Sequence, residues 1–421
     1  MVAGTGYGFG TSSPRRGRGS VFTHTVMAIA GAAVATGLLL AFYEPAPGGS
    51  GAALPGSGAV PAPGPASAPL TGGQQAIFTK VKPGLVIIST TLRYDSEAAA
   101  GTGMVINADG LVLTNNHVIE GSTMITATVV STGKTYQATV VGYDQTGDVA
   151  LIQLRHASGL TTVPIGNSSS VRAGNAVVAL GNAEGQGAIT AEPGHVTALD
   201  QSITASDEGG STAAEKLNGM IQTNADIVPG DSGGPLASSA GVIGMDTAGN
   251  DANDANDQQA STGFAIPINT ALSVARQIAG GHASSTVTIG YPPFVGIFVG
   301  SGPSSSPQAQ AQQEEQQNGG GGGSTAQCYA TNSDLTVPSA IAPVSAGTLI
   351  IGTICGSPAA SAGMTGGAVI TAVNGQPIGS PDDLTGVLAR FHPGEAISVT
   401  WVSPSGQRTT SSLQLSAGPP Q

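Results

Sequence analysis

Charged and aromatic side chains are scarce in this chain. Asp, Glu, Lys and Arg make up 9% of its 421 residues and aromatics 4%, with one tryptophan. Only 13 residues are basic against 25 acidic, a net charge of −12. A surface so poor in positive charge excludes nucleic acid as the main partner. Two cysteines and six dispersed histidines provide no pair at metal-ligand spacing, so no metal and no cofactor are expected. No Gly-rich phosphate motif stands before a helix. What is abundant is glycine (64) and proline (27), which marks part of the chain as spacer. The length suggests two or three domains.

The only clustered positive charge near the start is Arg15, Arg16 and Arg18, which precede an apolar stretch over residues 21–43 with no Asp, Glu, Lys or Arg. Twenty-three such residues are long enough for a transmembrane helix. The expectation is a cytoplasmic basic segment at 1–20, a single-pass anchor at 21–43 and everything beyond it extracytoplasmic, with a cleaved signal peptide as the alternative. Residues 44–73 hold 7 Pro and 8 Gly, so the stretch 44–75 reads as a linker.

Long helical periods are absent from the next two hundred residues, 268–281 excepted. Short β-branched runs punctuated by Gly, Asn and Asp follow one another instead: LVIIST, GMVIN, GLVLTNN, ATVVS, DVALIQL, AVVALGN, GVIGMD. This pattern predicts an all-β barrel or sandwich. INADGLVLT reads as a hairpin with Asp109-Gly110 as a two-residue turn. A segment rich in Ser, Gln and Gly, about 301–345, reads as disordered. Structure resumes near residue 347 as a small α+β module with short helices opening at Ser357-Pro358 and Ser380-Pro381.

One serine stands in a run of turn residues, PGDSGGPL, at Ser232. A serine hydroxyl needs a base to take its proton and an acid to orient that base. Among the histidines, His117 ends an apolar strand running into Asn-Asn, where its ring projects at a strand-to-loop corner. His24 lies in the apolar N-terminal stretch; His156, His195, His282 and His392 sit in surface contexts. Asp148 directly precedes the strand VALIQL, a position from which a carboxylate can be buried and aimed.

The motifs TNNHV, GDVALIQL, VPIGNSSSVRAGNAVVALGN, IQTNADIVPGDSGGPL and GFAIPIN occur in this order and resemble the HtrA/Deg branch of chymotrypsin-like serine proteases. The resemblance implies a mainly β chain: a chymotrypsin-like double β-barrel protease domain over 76–281 followed by a small α+β PDZ domain over 290–416. It implies His117 as general base, Asp148 as orienting acid, Ser232 as nucleophile, and an oxyanion hole formed by the N–H groups of Gly230 and Ser232. Asp231 stands where HtrA proteins often carry Asn. Asp226, six residues before Ser232, matches the floor of the specificity pocket of trypsin-like enzymes. Buried there, it favours Arg or Lys before the scissile bond, against the small aliphatic residues usual in the HtrA branch.

Phe294, Val295, Gly296 and Ile297 match the loop and strand with which PDZ domains hold a peptide's terminal carboxylate. The segment TGGAVI replaces the usual PGDVI. Cys328 and Cys355, extracytoplasmic on this reading, can pair as a disulfide tying the inserted arm to the module, or remain free thiols. Polypeptides are the expected substrates, a C-terminal peptide the expected PDZ ligand, and family likeness suggests a homotrimer. The competing reading is an inactive-protease or chaperone-like scaffold.

Overall fold

The computed structural model describes residues 25–28, 69–92, 97–207, 215–249, 262–300, 304–318, 328–331 and 335–420. The first ordered element of the body is helix α1 (Gly72–Val81), opened by a capping box in which Thr71 and Gln74 satisfy each other's orphan N–H groups. The linker reading of 44–75 is therefore corrected at its end. Capping chemistry, not an apolar period, starts this helix inside a glycine-rich stretch.

Strands β2 (Leu85–Leu92), β3 (Glu97–Asn107), β4 (Leu111–Thr114), β5 (Met124–Val129), β6 (Thr135–Asp144) and β7 (Val149–Leu154) form one antiparallel sheet, closed on itself by the β6–β7 pairing. A second sheet is built from β8 (Ala176–Gly181), β9 (Thr190–Asp207), β10 (Glu215–Thr223), β11 (Pro235–Ser238), β12 (Gly241–Gly249) and β13 (Gly263–Pro267). The 18-residue β9 closes it, pairing with β8 through its first half and with β10 through its second. Closure leaves few open edges for another chain to join. The β3–β4 hairpin forms as expected, but its register pairs Asn107 with Leu111, which makes the turn three residues long with Gly110 at φ +89°. Asn107 supplies the reason: its carbonyl accepts the Gly110 N–H and its side chain the Asp109 N–H.

Strand periodicity divides the core. Val86, Ile88, Val112, Ala150 and Ile152 point into a cluster of the first barrel, while their neighbours Leu85, Leu113 and Leu151 enter a cluster shared by both barrels. In the second barrel Val177 and Ala179 face their own core and Val178 and Leu180 the shared one. Helix α3 (Ile268–Ala279) adds Ile268, Ala271, Ala275 and Ile278 to the shared cluster, as the apolar spacing of 268–281 predicts. Strand β14 (Val287–Ile289) then joins the edge of β6.

Beyond it lie β15 (Pro293–Phe294), β16 (Ile297–Val299), β17 (Thr348–Thr353), β18 (Val369–Val373), β19 (Gln376–Pro377), β20 (Ala396–Val402), β21 (Arg408–Gln414) and β22 (Ser416–Ala417). Short helices α5 (Pro358–Ser361) and α6 (Pro381–Leu388) start at Ser357 and Ser380, whose side chains cap them. Their core gathers Ile350, Met364, Ile370, Leu384 and Trp401.

The disorder expected over 301–345 is corrected within the described residues: α4 (Pro307–Asn318) is a helix. Its anchor is Gln310, fully buried, whose amide donates to the carbonyls of Ser304 and Gly347 and accepts from Leu349 N–H. Cys328 and Cys355 are joined as a disulfide.

The expected anchor helix over 21–43 lies outside the described residues except at Thr25–Ala28. These four residues form strand β1, running parallel to β9, and not a helix. An extended β-branched Thr-Val pair suits the open edge that β9 presents there. Among the described residues no helix is long and apolar enough to cross a membrane. The basic segment 1–20 lies outside the described residues.

Candidate active site

The turn between β6 and β7 delivers Asp148. Gly147 N–H binds Asp144 Oδ1 and Asp148 takes φ +49°, which turns its carboxylate inward; the side chain is 1% exposed. Burial raises the pKa of Asp144 despite its hydrogen bonds from the turn and from Thr286. Around Asp148 the donors converge. His117 N–H reaches Oδ1 at 3.1 Å, His117 Nδ1 lies 3.0 Å from both oxygens, and Thr247 Oγ donates to Oδ2. Asn115 Nδ2 holds the Asp148 carbonyl at 2.9 Å. A carboxylate facing Nδ1 keeps the proton on that nitrogen, which leaves Nε2 as the acceptor of the neutral ring.

His117 sits in the one-turn helix α2 (Asn116–Ile119), next to Val118. A Cβ placed on Gly101 of β3 would meet Val118 Cγ1 at 2.7 Å and the Ser232 carbonyl at 3.3 Å, so the histidine turn and the serine loop close on the same point of β3. Thr102, the next residue, binds the loop twice: its N–H donates to Ser232 O (2.9 Å) and its Oγ to Gly230 O (2.8 Å).

Within the loop, the N–H groups of Asp231, Gly233 and Gly234 donate to the carbonyls of Val228, Asp246 and Asp231. Those of Gly230 and Ser232 donate to no described main-chain carbonyl. Gly230 has φ +94°, and a Cβ there would lie 2.2 Å from the Asn182 carbonyl, so only glycine fits. Ser232 is half-buried, and a serine brought to an oriented imidazole and two such amides can perform acyl transfer through a tetrahedral oxyanion.

Residues 101–245 match the model of the trypsin-like peptidase domain and residues 351–402 that of the PDZ domain. The serine protease PepD of Mycobacterium tuberculosis is 30% identical over 417 residues, which cover 96% of this chain and 78% of PepD. The chain is an HtrA/Deg-type serine protease. The probable periplasmic serine protease do/HhoA-like of Haemophilus influenzae is 33% identical over 72% of this HtrA/Deg chain, and the periplasmic serine endoprotease DegP of Escherichia coli 37% identical over 43%. The chain spans 55% and 36% of those two relatives. An HtrA-type protease AlgW variant solved with a tripeptide superposes at a TM-score of 0.43 with 24% identity, over 83% of this chain and 98% of that one, too loose an overlap to carry the assignment.

As an HtrA/Deg protease the chain is a serine endopeptidase, and its remaining expected site residues fall as follows. Asp226 is exposed while its neighbours Ala225 and Ile227 are buried, so its carboxylate is not the buried one that a preference for Arg or Lys would need. Phe294 ends β15, Gly296 has φ +80°, and Ile297 opens β16, which among the described residues pairs on one side only, with β17. The Gly296 carbonyl accepts from Ile354 N–H and Ser357 Oγ, which fixes the turn between these strands.

Thr102 and Thr247 support this HtrA/Deg site without any motif to announce them, while Asn115 belongs to TNNHV. Thr247 follows an apolar run in GVIGMDTAG and lies 99 residues from its partner. Only the strand pairing of β12 reveals it.

Proposed function

We propose that this protease cleaves exposed or misfolded polypeptides outside the cytoplasmic membrane, with His117, Asp148 and Ser232 as its catalytic residues. His117 Nε2 takes the Ser232 proton as Oγ attacks the scissile carbonyl, and the N–H groups of Gly230 and Ser232 hold the oxyanion. The imidazolium, balanced by Asp148, then gives its proton to the leaving amine. Water repeats the sequence on the acyl-enzyme and releases the acid. The observation that carries the reading is the carboxylate of Asp148 closed around both nitrogens of His117 available to it, ring Nδ1 and main-chain N.

Exposure of Asp226 and burial of Ala225 and Ile227 favour small aliphatic residues before the scissile bond over Arg or Lys. The free edge of β16 is where a peptide can add as a strand, its carboxylate on the Phe294-Val295-Gly296-Ile297 turn. The periplasmic relatives and the Cys328–Cys355 disulfide both suit an extracytoplasmic location. A trimer is the assembly that family likeness favours.

Unfolded casein incubated with the chain from residue 69 onward tests the reading. Cleavage and fluorophosphonate labelling, both lost in Ser232→Ala, are the expected result. Casein binding with neither cleavage nor labelling leaves a scaffold instead of an enzyme.

A further inference from the structure

The protease and PDZ modules meet through two stretches of chain. The first is the covalent link between them: Gly290 N–H donates to Val141 O, and Tyr291 packs on the core of the first barrel, its hydroxyl accepting the Val140 N–H at 3.4 Å. The second runs back from β22, which lies antiparallel to β15. Ser416 Oγ donates to Phe294 O there, and Gly418 N–H to Pro292 O at 2.9 Å. Gly418, Pro419 and Pro420 then carry the chain onto the protease, where the Pro420 carbonyl accepts the Gly121 N–H at 2.9 Å. Gly418 and Pro420 are both buried. The three residues form a strap.

Its landing point is the turn that carries the imidazole. Helix α2 holds His117 and ends at Ile119; Glu120 caps it with its N–H on Asn116 O but leaves the helix at ψ 141°, and Gly121 follows at φ +66°. A glycine just past a helix ordinarily gives its N–H back to a carbonyl of that helix. The extended backbone of Glu120 aims it outward instead, and Pro420 takes it. One hydrogen bond of the histidine turn thus belongs to the other module. Two consecutive prolines, each with φ fixed by its ring, present the acceptor with little chain entropy left to lose. Gly418 sets where the strap lies: a Cβ there would fall 2.9 Å from Phe294 Cβ and 3.0 Å from its Cδ2, so a larger residue displaces it.

We propose that Pro420 is a positioning residue for His117: its carbonyl closes the histidine turn, so that the PDZ module helps hold the imidazole against Asp148 and the protease reaches its full rate only with the strap seated. The inference rests on His117 being the general base. Asp148 fixes the ring through Nδ1 and the main-chain N–H, and Val118 and Ile119 sink the turn into the first barrel. What those contacts leave open is the exit from the turn, where Pro420 acts. Its contribution is that of one neutral hydrogen bond, which alters the rate without abolishing it.

The test uses two variants of the otherwise full-length enzyme. Deletion of residues 418–421 removes the acceptor, and Gly418→Val lifts the strap off Phe294 with the acceptor still present. Each is assayed on a short chromogenic peptide for kcat and KM, beside amide hydrogen exchange at Gly121 and the proton NMR resonance of His117 Nδ1–H. Exchange at Gly121 should quicken and the Nδ1–H resonance should shift or broaden. The kcat should fall about 3–10-fold while KM stays within about twofold. Trp401, in the PDZ core, reports by its emission that the module stays folded; should Gly418→Val unfold it, the deletion decides. Wild-type kcat with an unmoved Nδ1–H resonance in the deletion variant, or Gly121 exchange no faster than in wild type, overturns the proposal. A His117→Ala enzyme that keeps wild-type activity refutes the general-base reading and the proposal with it, and does so without either strap variant.

Discussion

Neutralising Asp231 should flatten the pH dependence of folding stability, and the size of the effect follows from its burial. The carboxyl is 2% exposed and its pKa rises from 3.8 to about 7 on folding, mainly by desolvation. Between these values the folded chain holds a proton that the unfolded chain has released. The stability contributed by Asp231 is therefore greatest below about pH 4, falls as pH rises to about 7, and is level above. A rise of that size corresponds to about 4 kcal/mol, of which about 3 kcal/mol is lost between about pH 5 and about pH 8. Urea unfolding followed by far-UV circular dichroism at those two pH values measures it, in a Ser232→Ala background that prevents self-digestion. Trp401, the one tryptophan of the chain, sits in the PDZ core, so its emission reports the other module. Asp231→Asn should remove most of that loss. Equal losses with and without the carboxyl would refute the claim that Asp231 is buried without a counter-charge.

Other outcomes follow from single contacts. Gly230→Ala puts a methyl against the Asn182 carbonyl at positive φ and displaces one oxyanion donor, so kcat should drop about 10²–10³-fold with protein that still folds, measured on a chromogenic peptide. Thr247→Val leaves a buried Asp148 oxygen without its donor; kcat/KM should fall about 10–100-fold, equivalent to about 1.5–3 kcal/mol. The fall should be steepest where neutral His117 must be held in one tautomer. Reducing the Cys328–Cys355 bridge, which spans 27 positions, should cost about 3–4 kcal/mol in the PDZ module by the loop-entropy rule, read by Trp401 emission in denaturant, with the protease barrels little affected.

Much of the barrel architecture is legible in local patterns, because alternation of apolar side chains carries its own geometry. LVIIST and DVALIQL place successive residues on opposite faces whatever their partners, and the two faces became the barrel core and the shared core. The short helices at Ser357 and Ser380 are equally local, since a capping hydroxyl needs only the next three residues. Helix α4 is the opposite case. PQAQAQQEEQQN has no apolar stripe, and what anchors it is one amide, Gln310, reaching Gly347 and Leu349 some 37–39 residues away, with Ala311 packed beside it. Asp226 shows the same limit at the site: its place in the motif suggests a pocket floor, and its orientation follows from the burial of the residues on either side.

By itself, the order of motifs determined which residue types had to meet: an acid, an imidazole and a hydroxyl, each on a segment whose turn chemistry exposes it. Such information is local or follows the chain. Tertiary structure decided what surrounds them. Thr247 against Asp148 and Thr102 against the serine loop exist only because two closed barrels share one interface. Burial, which sets both the strength of a hydrogen bond and the cost of a charge, is a property of that packing and is not written in any short stretch of residues.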